Sequence, residues 1–257
     1  MKRVDPGLLQ ALILTKNEEP NLGRVLDKLG WLEKVIIVDS FSTDDTLKIG
    51  RTYPNVTFYQ RSFDTHANQW NYGLGLIRSK WVLTLDADYI LTEAFARETL
   101  SFLEADNKVA YYSNFKFLVY GRSLMGDNTT PRPVLFKLSH CAYFDDGHTQ
   151  RLKIDGDTGF FKSPILHDDR KSLSRWLNNQ DSYSLKEAHK LMTQHEGLSL
   201  SSRLRKNRVL APMLVFFHCL FVKGLIFSGW SGWYYTLQRT MVEMLLAIRL
   251  IEEEKLK

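Results

Sequence analysis

In this chain of 257 residues, the fold class can be inferred from residues 8–40, LLQALILTKNEEPNLGRVLDKLGWLEKVIIVDS. It begins with a nearly unbroken apolar run, Leu8–Thr15, and ends with a second one, Val35–Ser40. Such runs are typical of parallel strands that are buried on both faces. Apolar residues recur at helical spacing between the two runs, and Gly30 ends that pattern. The stretch therefore predicts two parallel strands joined by a helix.

The same alternation continues further along the chain. Helices are predicted over 42–51, 66–77 and 92–103, and strands over 56–60, 81–86 and 109–120. This β-α-β-α order predicts an α/β fold with a doubly wound parallel sheet and right-handed crossovers. Residues 121–170 are rich in Gly, Asp and Pro and predict short strands such as 134–138, after which a helix is expected over about 172–195.

The composition indicates a globular chain and excludes several classes of protein. Hydrophobic residues make up 44% of the sequence and charged residues 25%, which excludes a disordered or collagen-like chain. Cys141 and Cys219 lie far apart and form no CxxC motif, which excludes a zinc knuckle or a disulfide framework and favours a reducing compartment. The short apolar run near the N-terminus has no small-residue cleavage site after it, so we interpret it as a strand rather than a signal peptide.

Charge is distributed unevenly along the chain. Residues 1–150 contain 17 basic and 18 acidic residues, a balance that argues against nucleic acid as a partner. No acidic residue lies between Glu196 and Glu243, whereas a basic cluster lies in that stretch. Its members are Arg203, Arg205, Lys206 and Arg208. Each of them is expected to contribute about 1 kcal/mol of attraction to an anionic membrane surface.

An apolar segment, residues 209–230, follows this basic cluster. Proline, histidine and lysine interrupt it, so it falls short of the roughly 20 residues that a membrane-spanning helix needs. A basic cluster beside an apolar, aromatic segment is typical of a region that lies on a membrane surface. Packing as a buried helix pair is the alternative interpretation. We divide the chain into a domain of residues 1–196 and a basic, apolar helical extension of residues 197–257, which we expect at the membrane.

Polar clusters follow three of the predicted parallel strands. They read TKNEE at residues 15–19, DSFSTD at residues 39–44 and DAD at residues 86–88. Each cluster on its own is compatible with plain helix capping, since Ser, Asp and Asn are favoured there. In open α/β sheets, however, ligands bind at the carboxyl ends of the strands. Three such clusters at one sheet edge therefore predict a ligand site.

Asp86 and Asp88 are the most informative pair in these clusters. Residues two apart in an extended segment point to the same side, so the two carboxylates repel each other unless a cation lies between them. Carboxylate oxygens suit Mg²⁺ or Mn²⁺, usually together with substrate phosphates. The sequence contains no GxGxxG and no GxxxxGK[ST] motif, which argues against the commonest dinucleotide and P-loop sites.

The segments LILTKNEE, VDSFSTDDT and LTLDAD, in this order, resemble the motifs of the nucleotide-sugar glycosyltransferases of family 2. The resemblance covers roughly residues 8–190 and implies the GT-A fold, the Rossmann-like fold of nucleotide-diphospho-sugar transferases. It implies an inverting, metal-dependent transfer of a sugar from a nucleotide-diphosphate donor, with UDP as the expected nucleotide, to a glycan or lipid-linked glycan. The tail resembles the membrane-proximal end of bacterial lipopolysaccharide-core and cell-surface polysaccharide transferases. It implies a cytoplasmic enzyme, peripheral on the inner face of the cytoplasmic membrane.

The resemblance also implies roles for individual residues. Asp88 and His167 are expected to bind Mn²⁺ or Mg²⁺. Thr149 stands where relatives carry an acidic general base, so Asp146 and His148 are the candidates for that role. The expected nucleotide-binding residues are Thr15, Asn17, Glu18, Asp39, Ser42, Asp44, Arg61, Asp86, Arg170 and Lys171.

Two functions of other classes stay open beside this one. A nucleotidyltransferase also combines an α/β nucleotide fold with acidic metal ligands, but no Gly-rich, basic loop follows the first predicted strand here. A non-catalytic carbohydrate-binding module is the other alternative, in which the aromatic residues and the basic tail would provide the binding surface.

Overall fold

The computed structural model describes residues 3–126, 130–146, 149–193 and 200–255, and for residues 145, 146, 149, 200 and 201 the backbone alone. The chain forms two compact units. The first unit comprises Met1–Phe117 and Asn128–Arg170, and the second comprises Leu118–Asp127 and Lys171–Lys257. The expected domain boundary after residue 196 stays a prediction.

The α/β pattern predicted for the first part of the chain is present. The elements up to residue 119 are β1 (Leu9–Thr15), α1 (Leu22–Leu26), β2 (Val35–Asp39), α2 (Thr46–Arg51), β3 (Val56–Gln60), α3 (His66–Leu76), β4 (Trp81–Asp86), β5 (Tyr89–Ile90), α4 (Glu93–Ala105), β6 (Ala110–Ser113) and β7 (Phe115–Val119). The later elements are β8 (Arg122–Ser123), β9 (Arg132–Lys137), β10 (Cys141–Asp146), β11 (Thr149–Ile154), β12 (Thr158–Phe160), β13 (Ile165–His167), α5 (Leu173–Thr193), α6 (Leu200–Lys206), α7 (Leu210–Phe217) and α8 (Trp230–Lys255).

A seven-stranded sheet in the order β12-β6-β9-β4-β1-β2-β3 forms the centre of the first unit. Strands β4, β1, β2 and β3 are parallel, as the sequence predicts, whereas β9 runs antiparallel to both β4 and β6. The strand order reverses at β1, since β2 lies on one side of β1 and β4 on the other. A reversal of this kind opens a crevice at the carboxyl ends of the strands, where ligands bind in such sheets.

Both faces of this sheet are buried, which explains the continuous apolar runs of its strands. Alternate residues of β1 lie on opposite faces, with Ile13 in one core cluster and Leu12 in the other. The helices α1 and α4 cover the Ile13 face through residues such as Leu22 and Phe95. Helix α3 and the antiparallel pair β10–β11 cover the Leu12 face, where the Trp70 ring stacks on the Tyr143 ring at 5.5 Å between centroids.

The strand predicted over 109–120 is in fact two strands that belong to different sheets. The chain leaves the seven-stranded sheet at Asn114, whose backbone carbonyl accepts hydrogen bonds from the Ser113 hydroxyl at 2.9 Å and the Ile165 N–H at 3.0 Å. Residues 115–117 then pair in parallel with β13, which pairs antiparallel with β5. This small sheet places His167 opposite Tyr89 in the register, directly after the DAD cluster.

The helices α5 to α8 make up most of the second unit. Ala188 and Leu191 of α5 pack against Leu246 and Leu250 of α8 in a small buried cluster. Helix α7 packs against α8 as well, with the rings of Phe216 and Trp233 at 6.2 Å. Among the residues that the structure describes, no helix combines the length and the apolar character that crossing a membrane requires.

The basic cluster of the tail is only partly available to an external partner. Arg205 forms ion pairs with Glu243 at 2.9 Å and Glu187 at 3.3 Å, and Arg208 forms one with Glu254. These two guanidinium groups are thus paired within the second unit, and the attraction of the four basic residues to an anionic membrane stays a prediction. Arg203 and Lys206 are exposed on α6.

Candidate active site

The loops that follow β1 and β2 are cross-linked by hydrogen bonds at the carboxyl edge of the sheet. The N–H of Asn17 donates to the Ser42 hydroxyl at 2.6 Å, and the N–H of Glu18 donates to the Thr46 hydroxyl at 2.6 Å. In return, the side-chain carbonyl of Asn17 accepts from the N–H of Thr43 at 2.7 Å. The structure thus brings together two of the polar clusters that the sequence predicts at this edge.

Asp39 anchors the second of these loops from inside the protein. Its side chain has 0% exposure, and it accepts hydrogen bonds from the Thr15 hydroxyl at 2.8 Å and the Ser42 N–H at 2.8 Å. Gln60 donates to the same carboxylate at 3.3 Å. The buried carboxylate therefore fixes the end of β2, and its direct contact with a nucleotide stays a prediction.

Asp44 holds the start of α2. Its carboxylate accepts from the N–H of Thr46 at 3.1 Å and from the Thr46 hydroxyl at 2.5 Å, and its other oxygen accepts from the N–H of Glu19 at 3.3 Å. The bonds to Thr46 form an Asx turn just before the helix N-cap at Asp45, which itself makes no side-chain capping hydrogen bond. The bond from Glu19 places Asp44 beside the first loop.

The two acids at the end of β4 lie in the same region of the sheet edge, since Asp86 is the last residue of that strand and pairs with Leu14 of β1. Burial raises the pKa of Asp86, and the negative charge of Asp88 raises it further. Hydrogen bonding from Tyr89 and the positive charges of His167 and Arg132 act in the opposite direction. Two carboxylates that disfavour each other's ionisation in this way form a site where a bound cation is favourable.

His167 completes this cluster from the small sheet. Its Nε2 atom lies 3.1 Å from Oδ2 of Asp88, and its ring packs against the rings of Tyr89 at 5.2 Å and Phe117 at 4.6 Å. Burial lowers the pKa of His167, but attraction to Asp88 and the hydrogen bond with it outweigh burial, so the pKa is raised overall. The structure therefore brings together the two residues predicted as metal ligands.

The donor set at this edge suits the metal that the resemblance implies. Within residues 3–126, 130–146, 149–193 and 200–255, no group of three or more His, Cys, Asp or Glu side chains is arranged to hold a metal ion. Carboxylate oxygens and one imidazole nitrogen are nevertheless donors that Mn²⁺ and Mg²⁺ accept, with substrate phosphates as further ligands. Burial is the larger cause of the raised pKa of Asp86, and the second cause, repulsion by Asp88, is one that a cation would relieve. The donor chemistry of the Asp88 and His167 pair is therefore compatible with a divalent cation, and the metal site itself stays a prediction.

An ion-pair network that the sequence analysis missed supports this cluster. Asp168, which is 1% exposed, forms an ion pair with Arg24 of α1, and Arg24 also donates to the Asp168 backbone carbonyl at 3.0 Å. Arg170 donates to the same carboxylate at 3.0 Å. The N–H of Asp168 donates to the carbonyl of Asp88 at 3.2 Å. The network thus connects α1 with the segment that carries His167.

Asn21 links this network to the first loop. Its side-chain amide donates to Glu18 at 3.0 Å and to Asp169 at 2.9 Å, and its side-chain carbonyl accepts from the N–H of Arg170 at 3.0 Å. Glu18 and Arg170, both predicted to bind the nucleotide, are therefore held by one buried side chain. Lys171, which is also predicted to bind the nucleotide, follows Arg170 and belongs to the second unit.

Arg61 has partners of its own at the end of β3. Its guanidinium pairs with both carboxylate oxygens of Asp64 at 2.9 and 2.8 Å and donates to Gln69 at 2.5 Å. The hydrogen bond to Asp64 raises the pKa of Arg61 and lowers that of the carboxyl group. A contact between Arg61 and a diphosphate stays a prediction.

The predicted general bases lie at the β10–β11 connection. Asp146 is the last residue of β10, with its side chain outside the described atoms, and His148 lies outside the described residues. Asn71 of α3 fixes this strand, because it donates to the Tyr143 carbonyl at 2.8 Å and accepts from the Tyr143 N–H at 3.0 Å. Asn71 therefore holds the strand that leads to the predicted bases.

Comparison with solved structures identifies proteins of the same fold. The structure of residues 1–349 of S. aureus TarS, solved in complex with UDP-GlcNAc, has a TM-score of 0.51 with this chain at 13% sequence identity. The match covers 96% of this chain and 91% of the TarS chain. It shows the shared fold and confirms the expected α/β architecture.

Comparison with known sequences identifies glycosyltransferases. The lipopolysaccharide core biosynthesis glycosyltransferase LpsC of Rhizobium meliloti is 29% identical over 105 residues, and an uncharacterised glycosyltransferase of Rickettsia typhi is 28% identical over 116 residues. These matches cover 39% and 44% of this chain, and the chain spans about two fifths of the length of these relatives. The family model for glycosyl transferase family 2 matches residues 11–163, which is more than half of the sequence. The chain therefore belongs to glycosyl transferase family 2.

Proposed function

We propose that this chain is an inverting, metal-dependent glycosyltransferase that moves a sugar from a UDP-sugar to a glycan or lipid-linked glycan acceptor. The observation that carries the proposal is the contact of His167 with Asp88 beside Asp86, at the sheet edge where ligands of such folds bind. The UDP and UDP-GlcNAc complexes of TarS support UDP as the nucleotide. The name of LpsC supports a role in building a bacterial cell-surface glycan.

The residues at the sheet edge have distinct roles in this proposal. Asp88 and His167 would hold Mn²⁺ or Mg²⁺, with Asp86 beside them. When bound, the cation neutralises negative charge that develops on the departing diphosphate. Arg170 adds a fixed positive charge, because Asn21 and Asp168 hold its backbone and its guanidinium. The nucleoside pocket is formed by the cross-linked loops that carry the predicted residues Thr15, Asn17, Glu18, Asp39, Ser42 and Asp44.

Inversion requires a single displacement in which a base accepts the proton of the attacking hydroxyl. Asp146 and His148 are the proposed bases, and the hydrogen bonds between Asn71 and Tyr143 fix the strand that leads to them. The family match favours this transferase function over a nucleotidyltransferase or a non-catalytic carbohydrate-binding module. Proton NMR of the product tests the mechanism, since inversion gives the anomeric configuration opposite to that of the donor sugar. A product with the donor's configuration would contradict it.

Thermal unfolding of the full chain with UDP tests the nucleotide and metal assignment. UDP at 100 times its Kd with Mn²⁺ should stabilise the protein by about 2.7 kcal/mol, which corresponds to a rise in Tm of about 5–10 °C. Replacing Mn²⁺ by EDTA should remove most of this rise. Asp88→Asn should also remove it and abolish turnover, while its own Tm without ligand stays near that of the wild type.

Asp157→Asn is the matched control for this experiment, because Asp157 is an exposed acid of the same unit with only a 3.5 Å ion pair to Lys108. We expect this variant to behave like the wild type. UDP binding of equal strength in EDTA would contradict the role of Asp88 as a metal ligand. An Asp88→Asn variant that fails to fold would show that the acid supports the structure rather than the chemistry.

We further propose that the second unit docks on the anionic inner face of the cytoplasmic membrane. Its apolar side chains are exposed to an extent that is unusual for a surface in water, with Phe227 at 80% and Val222 at 74%. Arg203 and Lys206 are exposed on the helix that precedes them. Apolar side chains bury area in the interface, and the two cations add electrostatic attraction. The other exposed apolar side chains include Val209, Met213, Phe217 and Phe221.

Flotation with vesicles of phosphatidylglycerol and phosphatidylethanolamine tests the membrane proposal. Binding should weaken on going from about 0.1 M to about 1 M NaCl, because salt screens the charge attraction. Arg203→Gln with Lys206→Gln should weaken it as well, and Phe221→Ser with Phe227→Ser should weaken it at any salt concentration. Lys28→Gln with Arg51→Gln, exposed cations of the first unit, is the matched control. No binding at low salt would contradict the proposal.

A further inference from the structure

The backbone conformation of Phe41 and the exposure of its side chain are both unfavourable for a phenylalanine. Its φ angle is +59°, in the left-handed region that bulky residues rarely adopt. Its side chain is 50% exposed, although an aromatic ring is more stable when it is buried. Strain of this kind persists only where the surrounding structure imposes it, and such positions cluster at ligand sites.

Three elements around Phe41 impose this conformation. Lys16, after β1, donates from Nζ to the carbonyls of Ser40 at 2.9 Å and Phe41 at 2.6 Å. Gln69 of α3 donates to the Ser40 hydroxyl at 3.1 Å. Asp39 of β2 holds the following residue, Ser42, through the backbone N–H. The backbone of the loop is therefore fixed on both sides of Phe41, so that the Cα–Cβ bond of Phe41 leaves the loop in a defined direction.

The place of this loop along the sheet edge matches one end of a bound nucleotide. Strand β1 lies between β2 and β4, so the loop after β2 is two strand intervals, about 10 Å, away from the acids after β4. A nucleoside diphosphate whose phosphates lie at those acids extends along the edge in one of two directions. In the proposed function the nucleoside pocket is formed by Asp39 and the cross-linked loops, which lie in the direction of β2, so the base would extend toward the loop of Phe41.

We propose that the ring of Phe41 is the platform on which the base of the donor nucleotide stacks; this inference rests on the proposed function. A base offers a flat π face, and stacking on an aromatic side chain is favourable for any base. Asp39 has no exposed surface, whereas the ring of Phe41 is half exposed and gives the loop after β2 an apolar surface on which a base can lie. Because the backbone around Phe41 is fixed in advance, the cost of ordering this loop when the nucleotide binds is lowered.

Calorimetric titration of the full chain with UDP in the presence of Mn²⁺ tests the inference. Phe41→Gly should weaken UDP binding about 10-fold or more, the effect of removing one stacking ring. The same variant should raise Tm by about 2–4 °C, because glycine adopts a positive φ without strain. Inorganic pyrophosphate, which has no base, should bind the variant as well as the wild type, and Phe41→Tyr should restore UDP binding.

Tyr120→Gly is the matched control, because Tyr120 is also an aromatic residue with positive φ and partial exposure, in the other unit. Its UDP affinity should equal that of the wild type. Equal UDP affinity of Phe41→Gly and the wild type would overturn this inference alone. A 10-fold loss that extends equally to pyrophosphate would overturn it too, since the base would not be the group that is bound. A wild-type chain that binds no nucleotide would overturn the proposed function together with the inference.

Discussion

Arg24→Met gives the sharpest test of the ion-pair network around Asp168. The substitution keeps the length and apolar part of the side chain and removes the guanidinium that contacts both the carboxylate and the backbone carbonyl of Asp168. Removing one partner of a buried ion pair costs about 3–5 kcal/mol, because a charge is left without compensation. Arg170 still contacts the same carboxylate at 3.0 Å, so we expect a loss of about 2–3 kcal/mol.

Urea unfolding followed by circular dichroism measures this loss as a lower midpoint with an unchanged m-value. Arg51→Met, at an exposed arginine of the same unit, is the control and should change the free energy of unfolding by less than about 0.5 kcal/mol. Adding Asp168→Asn to Arg24→Met should recover part of the loss, because the uncompensated charge is then removed as well. If Arg24→Met is no more destabilising than Arg51→Met, the network does not stabilise the first unit and our reasoning fails.

The remaining predictions concern packing and thiol chemistry in the first unit. Gly50→Ala should destabilise the protein by about 1–3 kcal/mol in urea unfolding, because a Cβ there would lie 2.3 Å from two ring carbons of Phe58. Gly30→Ala, where nothing lies within 4 Å of the new Cβ, should cost much less, and equal losses would contradict the packing argument. Burial raises the pKa of Cys141 to about 12, so only about one thiol in 10,000 is ionised at pH 8 and its alkylation by iodoacetamide should be far slower than that of free cysteine. The folded thiol binds its proton more tightly than the unfolded thiol, so this group stabilises the fold below its unfolded pKa, and the stabilisation falls as the pH rises toward 12. Labelling of Cys141 at the rate of free cysteine, measured by mass spectrometry, would refute the burial of the thiol.

The sequence predicts the central strands and the polar edge because those features depend on local pattern. Strand β1 is apolar at successive positions since both of its faces are buried, and that pattern is visible without a structure. The break at Asn114 is not visible, because aromatic residues such as Tyr112 and Phe115 occur on both sides of it and the change of sheet depends on pairing with β13, about 50 residues later. Register between distant strands follows from tertiary packing rather than from periodicity.

The candidate site also contains residues that the sequence predicts and residues that it does not. Asp86 and Asp88 are adjacent in sequence to a strong strand signal, so their position at the sheet edge can be predicted. The contact of Arg24 with Asp168 joins residues 144 positions apart, and Arg24 lies in a five-residue helix whose pattern shows only its apolar face. The strain at Phe41 violates a local preference, and violations of this kind are expected at functional sites, where local rules fail.

The position of β9 between β4 and β6 has a consequence for synthesis on the ribosome. These two strands are separated in the sheet by residues 132–137, which leave the ribosome after both of them. Until β9 arrives, the edge of β4 carries unpaired backbone groups beside the apolar side chains of Trp81, Val82 and Leu83. An apolar strand edge without a partner is prone to pair with other chains. A nascent chain that stalls before residue 132 therefore exposes the edge of β4 to pairing with other chains. Pairing of β9 with β4 removes this exposed edge.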